Sequence, residues 1–488
     1  MALLKSMNSG VSGLNAFQKK MDVIGNNIAN VETIGFKSSR VTFSQLMSKN
    51  EARSGAGSNA PQLTDQIGLG VRVGSVDRDF SQGALFVVEQ LHEHDFDAYV
   101  VGGAVRDLLI GKHPKDFDVA TNATPDQIKQ CFRSARIIGR RFQIVHVRVG
   151  REIIEVTTFR RGHDEERSEQ DARASQSGRL LRDNVYGSLE EDARRRDLTI
   201  NALYYDTSSH QFIDQLGGQA DVTDRVIRII GDPSARYRED PVRMLRVVRF
   251  AARLQFDLES DTESAIASVR TLLRDIPPAR LFDEWLKLFM NGFSAPTFTL
   301  LRRYGLLDPL MGEAASNVLE SEPALDLQQL ALANTDRRVA DGRPVTPAFL
   351  LAALYWPAVQ ACSEQLSASG ESPIQTMHTA GQQIVQQACQ HLAIPKRFSL
   401  AMRDIWDLQP RLERMQPKKI KDHLAHRWFR ASFDLRLLRE QTDALGDDCS
   451  AFWTEQQKRY PELVGSARAR GEERGERRPR RRRRNRDS

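Results

Sequence analysis

Two aspartates separated by one residue, Asp116 and Asp118, are the residues of this chain whose spacing most clearly indicates chemistry. Side chains alternate along a β-strand, so both carboxylates would project from one face while Phe117 and Val119 point to the other. Two adjacent carboxylates repel each other unless a divalent cation neutralises them. Magnesium suits such a pair, because it takes oxygen ligands and usually one or two protein carboxylates. The pair predicts phosphoryl or nucleotidyl transfer; ion pairs with nearby lysines are the alternative.

Glu155 lies in an otherwise apolar, strand-like segment at 153–157. An acid inside an apolar strand needs a cation or a hydrogen-bond donor, because an unpaired buried charge is costly. We interpret Glu155 as a third carboxylate facing the metal site. An ion pair with Arg140 or Arg160 is the alternative.

A glycine pair, Gly102 and Gly103, follows a strand-like segment and precedes a helix-like one. Glycine tolerates positive φ and lets the backbone approach a phosphate, and the free amides of a helix N-terminus bind anions. Arg106 lies in the first turn of the predicted helix, where its guanidinium can reach a polyphosphate. The segment predicts a triphosphate-binding turn; a simple tight turn is the alternative.

Two further acids precede helix-like segments. Asp197 follows three arginines, which fits a place near the reacting groups or simple N-capping. Asp240 opens a helix whose arginines recur every three or four residues and so share a face. These arginines are Arg243, Arg246, Arg249 and Arg253. The row favours contact with a base or a triphosphate; a solvated surface is the alternative.

A mixed α/β unit is needed to position these residues. Strand-like segments at 98–101, 116–119, 142–149 and 152–158 alternate with helix-like ones, and the last two predict a hairpin around Gly150. From residue 240 to about 460 the pattern is helical, with proline breaks near 277, 344, 373 and 395. The expected fold class is α+β, with a mixed-sheet head followed by an all-helical part.

The basic character of the chain is concentrated at its C-terminus. The formal net charge is +6, and residues 465–488 contain eleven arginines and four acids, so this tail carries +7 and the rest −1. Such an arginine-rich segment, with almost nothing apolar, predicts a disordered tail. Its expected partner is a polyanion, with RNA or DNA backbone favoured over a role in solubility or at an anionic membrane.

The sequence also predicts where the protein works. It contains no apolar run long enough for a transmembrane helix, and its first thirty residues lack the apolar core of a secretory signal. The four cysteines are far apart and form no metal-binding pair, which fits a reducing compartment. We expect a cytoplasmic protein.

Four segments, in order, resemble the successive motifs of the class II nucleotidyltransferases, which comprise CCA-adding enzymes and bacterial poly(A) polymerases. They are GGAVRD at 102–107, DFD at 116–118, RRDLTINA at 195–202 and REDPVRMLR at 238–246. Three more are similar to the poly(A) polymerases in particular: IIGRRFQIVHV at 137–147, IPPARLF at 276–282 and IPKR at 394–397. The arginine-rich tail resembles the same branch.

This resemblance implies an architecture and a reaction. It implies a polymerase-β-like head at 81–235, a helical neck at 236–300 with the nucleotide-binding helix, and an RNA-binding helical body at 301–464 before the tail. The implied reaction is template-independent addition of AMP from ATP to RNA 3′ ends by a two-metal mechanism, serving RNA polyadenylation and decay. A tRNA CCA-adding enzyme, which also accepts CTP, is the alternative.

The resemblance further implies a role for each candidate residue. The catalytic acids are Asp116, Asp118, Asp197 and Glu155, of which the first two bind Mg²⁺. The residues that hold the triphosphate of ATP are Gly102, Gly103 and Arg106. Those that contact the base of the incoming nucleotide are Asp240, Arg243 and Arg246.

Residues 1–80 differ from the remainder, being rich in Asn, Ser and Gly, and their apolar spacing predicts an amphipathic helix over 2–28. The segments MNSGVSGLNA at 7–16, MDVIGNNIANV at 21–31 and GFKS at 35–38 resemble the N-terminus of flagellar hook and rod proteins. An alternative of another class follows, an axial structural subunit without ATP turnover. That family pairs this helix with a C-terminal one, and the arginine-rich tail found there instead favours the enzyme.

Overall fold

The computed structural model describes residues 80–139, 143–161, 186–312, 322–368, 370–442, 445–446 and 448–464, together with position 18 and the backbone of four strands before residue 78. The chain divides into two compact units, Met1–Gly231 and Asp232–Ser488. Within the described ranges, no helix combines the length and apolarity that crossing a membrane requires.

Two antiparallel strand pairs precede residue 80. β1 (Arg40–Gln45) pairs with β4 (Val71–Asp77), and β2 (Ser48–Ala52) pairs with β3 (Thr64–Gly68). The helix predicted over 2–28 lies outside the described residues except for position 18. The structure therefore leaves that part of the flagellar resemblance as a prediction.

The rest of the first unit alternates strands and helices. Its elements are α1 (Gln82–Glu93), β5 (Ala98–Val101), α2 (Gly103–Leu109), β6 (Asp118–Thr121), α3 (Pro125–Cys131), β7 (Arg136–Ile138), β8 (Ile144–Val149), β9 (Glu152–Thr158), α4 (Leu189–Arg195), the 3₁₀ helix Thr199–Asn201, β10 (Tyr204–Asp206), β11 (Gln211–Ile213), α5 (Gly218–Asp224) and β12 (Val226–Ile227). The sequence fixes several starts, because the hydroxyls of Ser81, Thr124 and Ser188 accept the amides that open α1, α3 and α4.

Seven of these strands form one mixed sheet in the order β11-β10-β5-β6-β9-β8-β7. β6 and β9 are parallel, and every other neighbouring pair is antiparallel. β8 and β9 form the predicted hairpin, whose turn contains Gly150 at φ 60°. The sheet order brings the strands that carry Asp118 and Glu155 side by side.

The two faces of this sheet differ in burial. On one face, alternate apolar residues of β6, β8 and β9 lie under α1 and α3. They are Val119, Val145, Val147, Ile154 and Val156. On the other face, Val101, Ala120 and Tyr204 pack with Ala193 of α4, whereas Ile153 of β9 is 58% exposed. Among the described residues, this second face is therefore covered near β5 and β10 and exposed at Arg148 of β8 and Ile153 of β9.

The second unit is almost entirely helical. Its elements are α6 (Pro233–Glu239), α7 (Val242–Leu254), β13 (Asp257–Leu258), α8 (Ser260–Val269), the 3₁₀ helix Arg270–Asp275, α9 (Pro278–Phe289), α10 (Ser294–Arg303), α11 (Leu307–Met311), α12 (Glu322–Ala340), α13 (Pro347–Ser367), α14 (Pro373–His391), α15 (Lys396–Glu413), the 3₁₀ helix Pro417–Lys419, α16 (Ile420–Ala425), α17 (Phe429–Thr442), α18 (Asp448–Arg459) and the 3₁₀ helix Pro461–Leu463. Its fully buried side chains include four tryptophans: Trp285, Trp356, Trp406 and Trp453.

The predicted α+β class and the helical character after residue 240 are confirmed. Several proline breaks mark helix starts, since Pro278 and Pro373 open α9 and α14 and Pro395 precedes α15. Pro357 and Pro410 instead lie inside α13 and α15. The finer division at 81–235, 236–300, 301–464 and 465–488 stays a prediction, and the tail lies outside the described residues.

Candidate active site

Three candidate residues meet at one end of the head sheet because of strand register. Asp118 is the first residue of β6, and it pairs with Val101 on one side and with Glu155 on the other. β5 ends at Val101, so Gly102 turns away from the sheet beside Asp118. The glycine turn and two of the predicted acids therefore share one rim of the sheet.

Asp116 lies in the turn before β6, so the prediction that one strand carries both aspartates was wrong in its boundary. The alternation nevertheless extends past the strand, since Asp116 is exposed and Phe117 is buried. Asp116 is also close enough for its charge to raise the pKa of Asp118. The two carboxylates are neighbours, as the spacing suggested.

The carboxyl group of Asp118 has an unusual environment. Burial, followed by the charge of Glu155, raises the pKa of Asp118 to about 6, with Asp116 adding to the effect and Arg196 opposing it. Like charges around a partly buried carboxyl make its ionised form expensive. A bound cation would relieve this repulsion.

Glu155 projects from β9, and its Oε1 lies 3.4 Å from Nε2 of His146 on β8. This cross-strand pair follows from register, because His146 is the antiparallel partner of Glu155. Arg160, one alternative ion-pair partner, instead donates to the carbonyl oxygen of Gln143 at 2.6 Å. Arg140, the other alternative, lies outside the described residues.

Gly102 adopts φ 79° and ψ −132° at the N-cap of α2, a conformation that favours glycine. Its amide donates to the carbonyl oxygen of Leu203 at 3.0 Å. A Cβ on Gly102 would lie 3.7 Å from Nη1 of Arg196 and from the carbonyl oxygen of Asn201. The turn is therefore held against the segment that carries Asp197.

Arg106 is buried, with 2% of its surface exposed, and is engaged within the protein. Its Nε and Nη2 donate to Asp107 Oδ1 at 2.9 and 2.6 Å, and its Nη1 donates to the side chain of Asn201. These contacts join α2 to the 3₁₀ helix. The predicted contact with a triphosphate stays a prediction.

Asp197 lies just before that 3₁₀ helix. Its Oδ1 accepts from the amide of Leu198 at 2.9 Å and from Nδ2 of Asn201 at 3.5 Å. Leu198 occupies the cap position and no side chain caps the turn, so N-capping does not explain Asp197. Asn201 links Asp197 to Arg106, which ties this acid to the glycine turn.

A network that the sequence analysis did not identify holds Arg196. Asp192 on α4 is fully buried and bonds to both Arg195 and Arg196, at 2.6 and 2.9 Å, and to the hydroxyl of Tyr204 at 2.8 Å. The spacing of three and four residues from Asp192 to the two arginines was the available signal. Arg196 is thereby fixed next to Gly102 and within electrostatic reach of Asp118.

The remaining candidates belong to the second unit, at the junction of α6 and α7. Asp240 Oδ2 pairs with Nη2 of Arg280 at 2.7 Å. Arg243 donates to the carbonyl oxygen of Arg236 at 2.8 Å and pairs with Glu239. Arg246 lies one turn further along α7 and is half-buried. These ion pairs order the residues predicted to contact the base.

The donor set can be tested against a magnesium ion. Asp116, Asp118 and Glu155 offer carboxylate oxygens, and their mutual repulsion favours a cation. In the part of the chain that the structure describes, no three His, Cys, Asp or Glu side chains form a metal-holding group. One or two protein ligands per ion is the usual number for magnesium, whereas structural zinc sites need four. The residues therefore fit Mg²⁺.

Comparison with known families covers most of the chain. Residues 98–228 match the poly A polymerase head domain, 255–317 match the probable RNA and SrmB-binding site of polymerase A, and 369–487 match the polymerase A arginine-rich C-terminus. Residues 7–37 match the flagella basal body rod protein family. The two resemblances seen in the sequence are thus both present, in separate parts of the chain.

Individual relatives decide the family. Poly(A) polymerase I of Salmonella typhimurium is 46% identical over 370 residues, which are 75% of this chain and 80% of the relative. The corresponding enzyme of Haemophilus influenzae is 45% identical over 78% of this chain and 85% of the relative. The chain belongs to the bacterial poly(A) polymerase family. The CCA-adding enzyme of Geobacillus thermodenitrificans is 41% identical over 233 residues, which are 48% of this chain and 55% of that enzyme. A match of this shorter extent fits a related family.

Solved structures confirm the fold of this poly(A) polymerase family member. The Bacillus stearothermophilus CCA-adding enzyme in complex with CTP matches with a TM-score of 0.54 and 26% identity, over 79% of this chain and 83% of that one. A tRNA nucleotidyltransferase complexed with a primer tRNA and an incoming ATP analog matches with a TM-score of 0.53 and 22% identity, over 76% and 98% of the two chains. The predicted polymerase-β-like head, helical body and nucleotidyltransferase class are therefore confirmed.

Proposed function

We propose that this protein adds AMP from ATP to RNA 3′ ends without a template, as a cytoplasmic enzyme of RNA polyadenylation and decay. The observation that supports the proposal is the rim where Asp118 pairs with Glu155 and adjoins the Gly102 turn, with Asp116 in the turn before β6, within a chain of the poly(A) polymerase family. An RNA 3′-hydroxyl attacks the α-phosphorus of ATP, the bond to the β-phosphate oxygen breaks, and pyrophosphate leaves.

The acids and the glycine turn have distinct tasks in this reaction. Asp116 and Asp118 would hold Mg²⁺, with Glu155 as a further acid beside Asp118 and Asp197 as a catalytic acid joined to the glycine turn through Asn201 and Arg106. When bound, the magnesium ions lower the pKa of the attacking hydroxyl and stabilise the leaving oxygen. Asp118 is suited to this role because its ionised form is destabilised until a cation arrives. Positioning and charge neutralisation supply most of the rate enhancement in phosphoryl transfer.

The triphosphate lies against the turn formed by Gly102 and Gly103. Arg196 is aimed at this turn by Asp192 and offers a cation to the phosphates. Arg106 braces the turn through Asp107 and Asn201, and its guanidinium reaches a phosphate only if ATP displaces one of these bonds. We therefore propose that Arg106 holds the triphosphate once ATP has displaced its bond to Asp107 or to Asn201.

The base of ATP contacts Asp240 and Arg243, with Arg246 nearby on α7. The ion pairs of Asp240 with Arg280 and of Arg243 with Glu239 support this assignment, because ordered side chains present a fixed pattern of donors and acceptors. Such a fixed pattern discriminates between bases, because a base with a different arrangement of donors and acceptors leaves polar groups of the site without a hydrogen-bond partner.

The decisive experiment incubates the purified protein with an unstructured RNA or a tRNA, and with ATP or CTP. Long tails made from ATP alone on the unstructured RNA are expected. CTP-dependent addition of a few nucleotides to tRNA would favour the CCA-adding alternative. Association with flagellar rods without any ATP turnover would favour the axial subunit that residues 7–37 suggest.

The arginine-rich tail is proposed to contact the RNA backbone, on the strength of its eleven arginines. Deleting 465–488 should weaken RNA binding and reduce the slope of log K against log salt, because fewer phosphate contacts release fewer counterions. The Michaelis constant for ATP should change little. An unchanged salt slope in a filter-binding titration would remove the tail from the RNA interface.

A further inference from the structure

The exposed part of the head sheet, near β8 and β9, carries a line of side chains that leads away from the catalytic acids. Strand register joins Asp118 to Glu155, Glu155 to His146, and His146 to Arg136. Directly opposed residues point to the same face, and neighbouring strands are about 4.8 Å apart, so three steps span about 14 Å from β6 to the edge strand β7. A line of this length could contact a substrate segment that extends beyond the reacting atoms.

The neighbouring row on the same face is apolar and basic. Ile153 pairs with Arg148 across the β8–β9 hairpin, and both are exposed. Ile153, at 58% exposure, is the most exposed large apolar side chain among the described residues, and Ile138 on the same face is 45% exposed. Register places Ile138 and Ile153 in different rows, on opposite sides of the line through Glu155 and His146, so the feature used below is the pair of Ile153 and Arg148.

A cavity of about 610 Å³ lies at the end of the sheet beside this row, between the start of α1, the turn before β6 and the β8–β9 hairpin. Its lining includes Asp116 and Ile153, two cations, Lys115 and Arg151, and the acid Glu152. The volume lies in the range of sites for small ligands. The cavity therefore touches both Ile153 and Asp116.

We propose that the last nucleotides of the RNA acceptor lie across this surface, the acceptor platform, which comprises Arg148, Ile153 and the cavity between Lys115 and Arg151. This inference rests on the proposed function and extends it by naming where the acceptor is held. Proteins bind single-stranded RNA with cations along its backbone and with side chains, most often aromatic, against its bases. Arg148, Lys115 and Arg151 supply the cations, and Ile153 supplies an aliphatic surface for a base or ribose.

The position of the platform also satisfies the reaction. The 3′-hydroxyl must reach Asp116 and Asp118, and Asp116 itself lines the cavity. On the opposite side of the sheet α1 and α3 cover the strands, with the start of α1 forming one wall of the cavity, and next to β5 the platform face is covered by α4. Within the described part of the head, the platform is the surface that leads to the acids from β8 and β9.

The kinetic test uses Ile153→Thr, which keeps a β-branched side chain in the strand, and Arg148→Ala. Matched controls on the covered side are Phe86→Ala, where the ring is 44% exposed, and Arg133→Ala. With a short single-stranded RNA, both platform variants should raise the Michaelis constant for RNA about tenfold, which corresponds to about 1.4 kcal/mol. The Michaelis constant for ATP and both controls should stay as in the unmodified protein.

A cross-linking experiment measures RNA binding at the platform without any turnover and complements the kinetic test. An RNA with 4-thiouridine next to its 3′ end is cross-linked to the protein without ATP and digested with trypsin. The label should appear on the peptide 152–160, which lies between Arg151 and the next arginine, and move elsewhere when the probe is placed far upstream.

Each outcome separates the platform from the proposed function. If the unmodified protein extends RNA while the platform variants match their controls and peptide 152–160 stays unlabelled, the platform is wrong and the function stands. If the peptide is labelled but no AMP is incorporated, RNA binds there and the proposed reaction fails.

Discussion

Two carboxylates of the head, Asp192 and Asp118, both interact with Arg196 and yet have opposite surroundings. Asp192 is fully buried and is bonded to Arg195, Arg196, the hydroxyl of Tyr204 and the backbone amide of Arg160. Asp118 has the acids Glu155 and Asp116 as neighbours. The first carboxylate is satisfied inside the protein, whereas the second needs a cation from outside.

Their pKa values record this difference. Burial alone would raise the pKa of Asp192, but the charges of Arg196 and Arg195 and the hydrogen bond from Tyr204 outweigh it and hold the pKa below its ordinary value. Burial and Glu155 raise the pKa of Asp118 to about 6. A buried acid with complete partners supports the fold, and a buried acid among like charges indicates a site.

The largest expected effect is the loss of turnover when one of the predicted metal-binding aspartates, Asp116 or Asp118, is replaced. Asp116→Ala should abolish AMP incorporation while leaving thermal unfolding unchanged, because it removes a metal ligand from an exposed turn and no core volume. Gel analysis of RNA extension and a melting curve measure both. Asp126→Ala, an exposed acid in the first turn of α3, is the control and should retain activity. Full extension by Asp116→Ala would end the metal assignment.

The next largest effect is on the free energy of unfolding, when the fully bonded carboxylate of Asp192 is replaced. Asp192→Asn should lower the free energy of unfolding of the head by about 3–5 kcal/mol, because breaking a buried ion pair leaves its partners without compensation. Urea titration measures it. The control is Glu190→Gln on the exposed side of the same helix, whose pair with Arg194 should contribute less than about 1 kcal/mol. Equal losses in the two variants would mean that the buried network is not special.

The contrast between Asp118 and Asp192 also shows which parts of the site could be predicted from the sequence. The sequence was enough to predict that Asp116 and Asp118 are neighbours and that Gly102 forms a turn, because alternation and glycine conformations are local properties. The sequence could not show that β6 and β9 are neighbours with Asp118 opposite Glu155, since strand order is set by long-range pairing. His146 was missed as the partner of Glu155 for the same reason. Asp192 was missed although its spacing to Arg195 and Arg196 is local, because spacing alone does not reveal burial.

Stability against pH tests the unsatisfied acid directly. The folded pKa of Asp118, about 6, exceeds its ordinary 3.8, so its stabilising protonation is fully present below about pH 3.8 and lost as pH rises through about 6. Asp118→Asn cannot ionise and should therefore be more stable than the unmodified protein at pH 8, by up to about 3 kcal/mol, with the advantage vanishing near pH 4.

Magnesium provides the control for that experiment. Binding to the folded state stabilises it, so Mg²⁺ at pH 8 should raise the melting temperature of the unmodified protein and leave Asp118→Asn nearly unchanged. A variant that is less stable than the unmodified protein at pH 8 without Mg²⁺ would contradict the repulsion between Asp118 and Glu155.

The smallest effect tests whether Asp192 and Tyr204 act as one unit. Tyr204→Phe keeps the ring beneath Arg196, 5.3 Å from its guanidinium carbon, and removes the hydroxyl, which donates to Asp192 at 2.8 Å and accepts from Nε of Arg196 at 3.1 Å. The two lost hydrogen bonds should together cost about 2 kcal/mol in a urea titration, at about 1 kcal/mol for each bond. Because the partners share Asp192, the double variant with Asp192→Asn should lose less than the sum of the single losses. Strict additivity would show that the contribution of Tyr204 does not depend on Asp192, and that its hydroxyl acts through Arg196 alone.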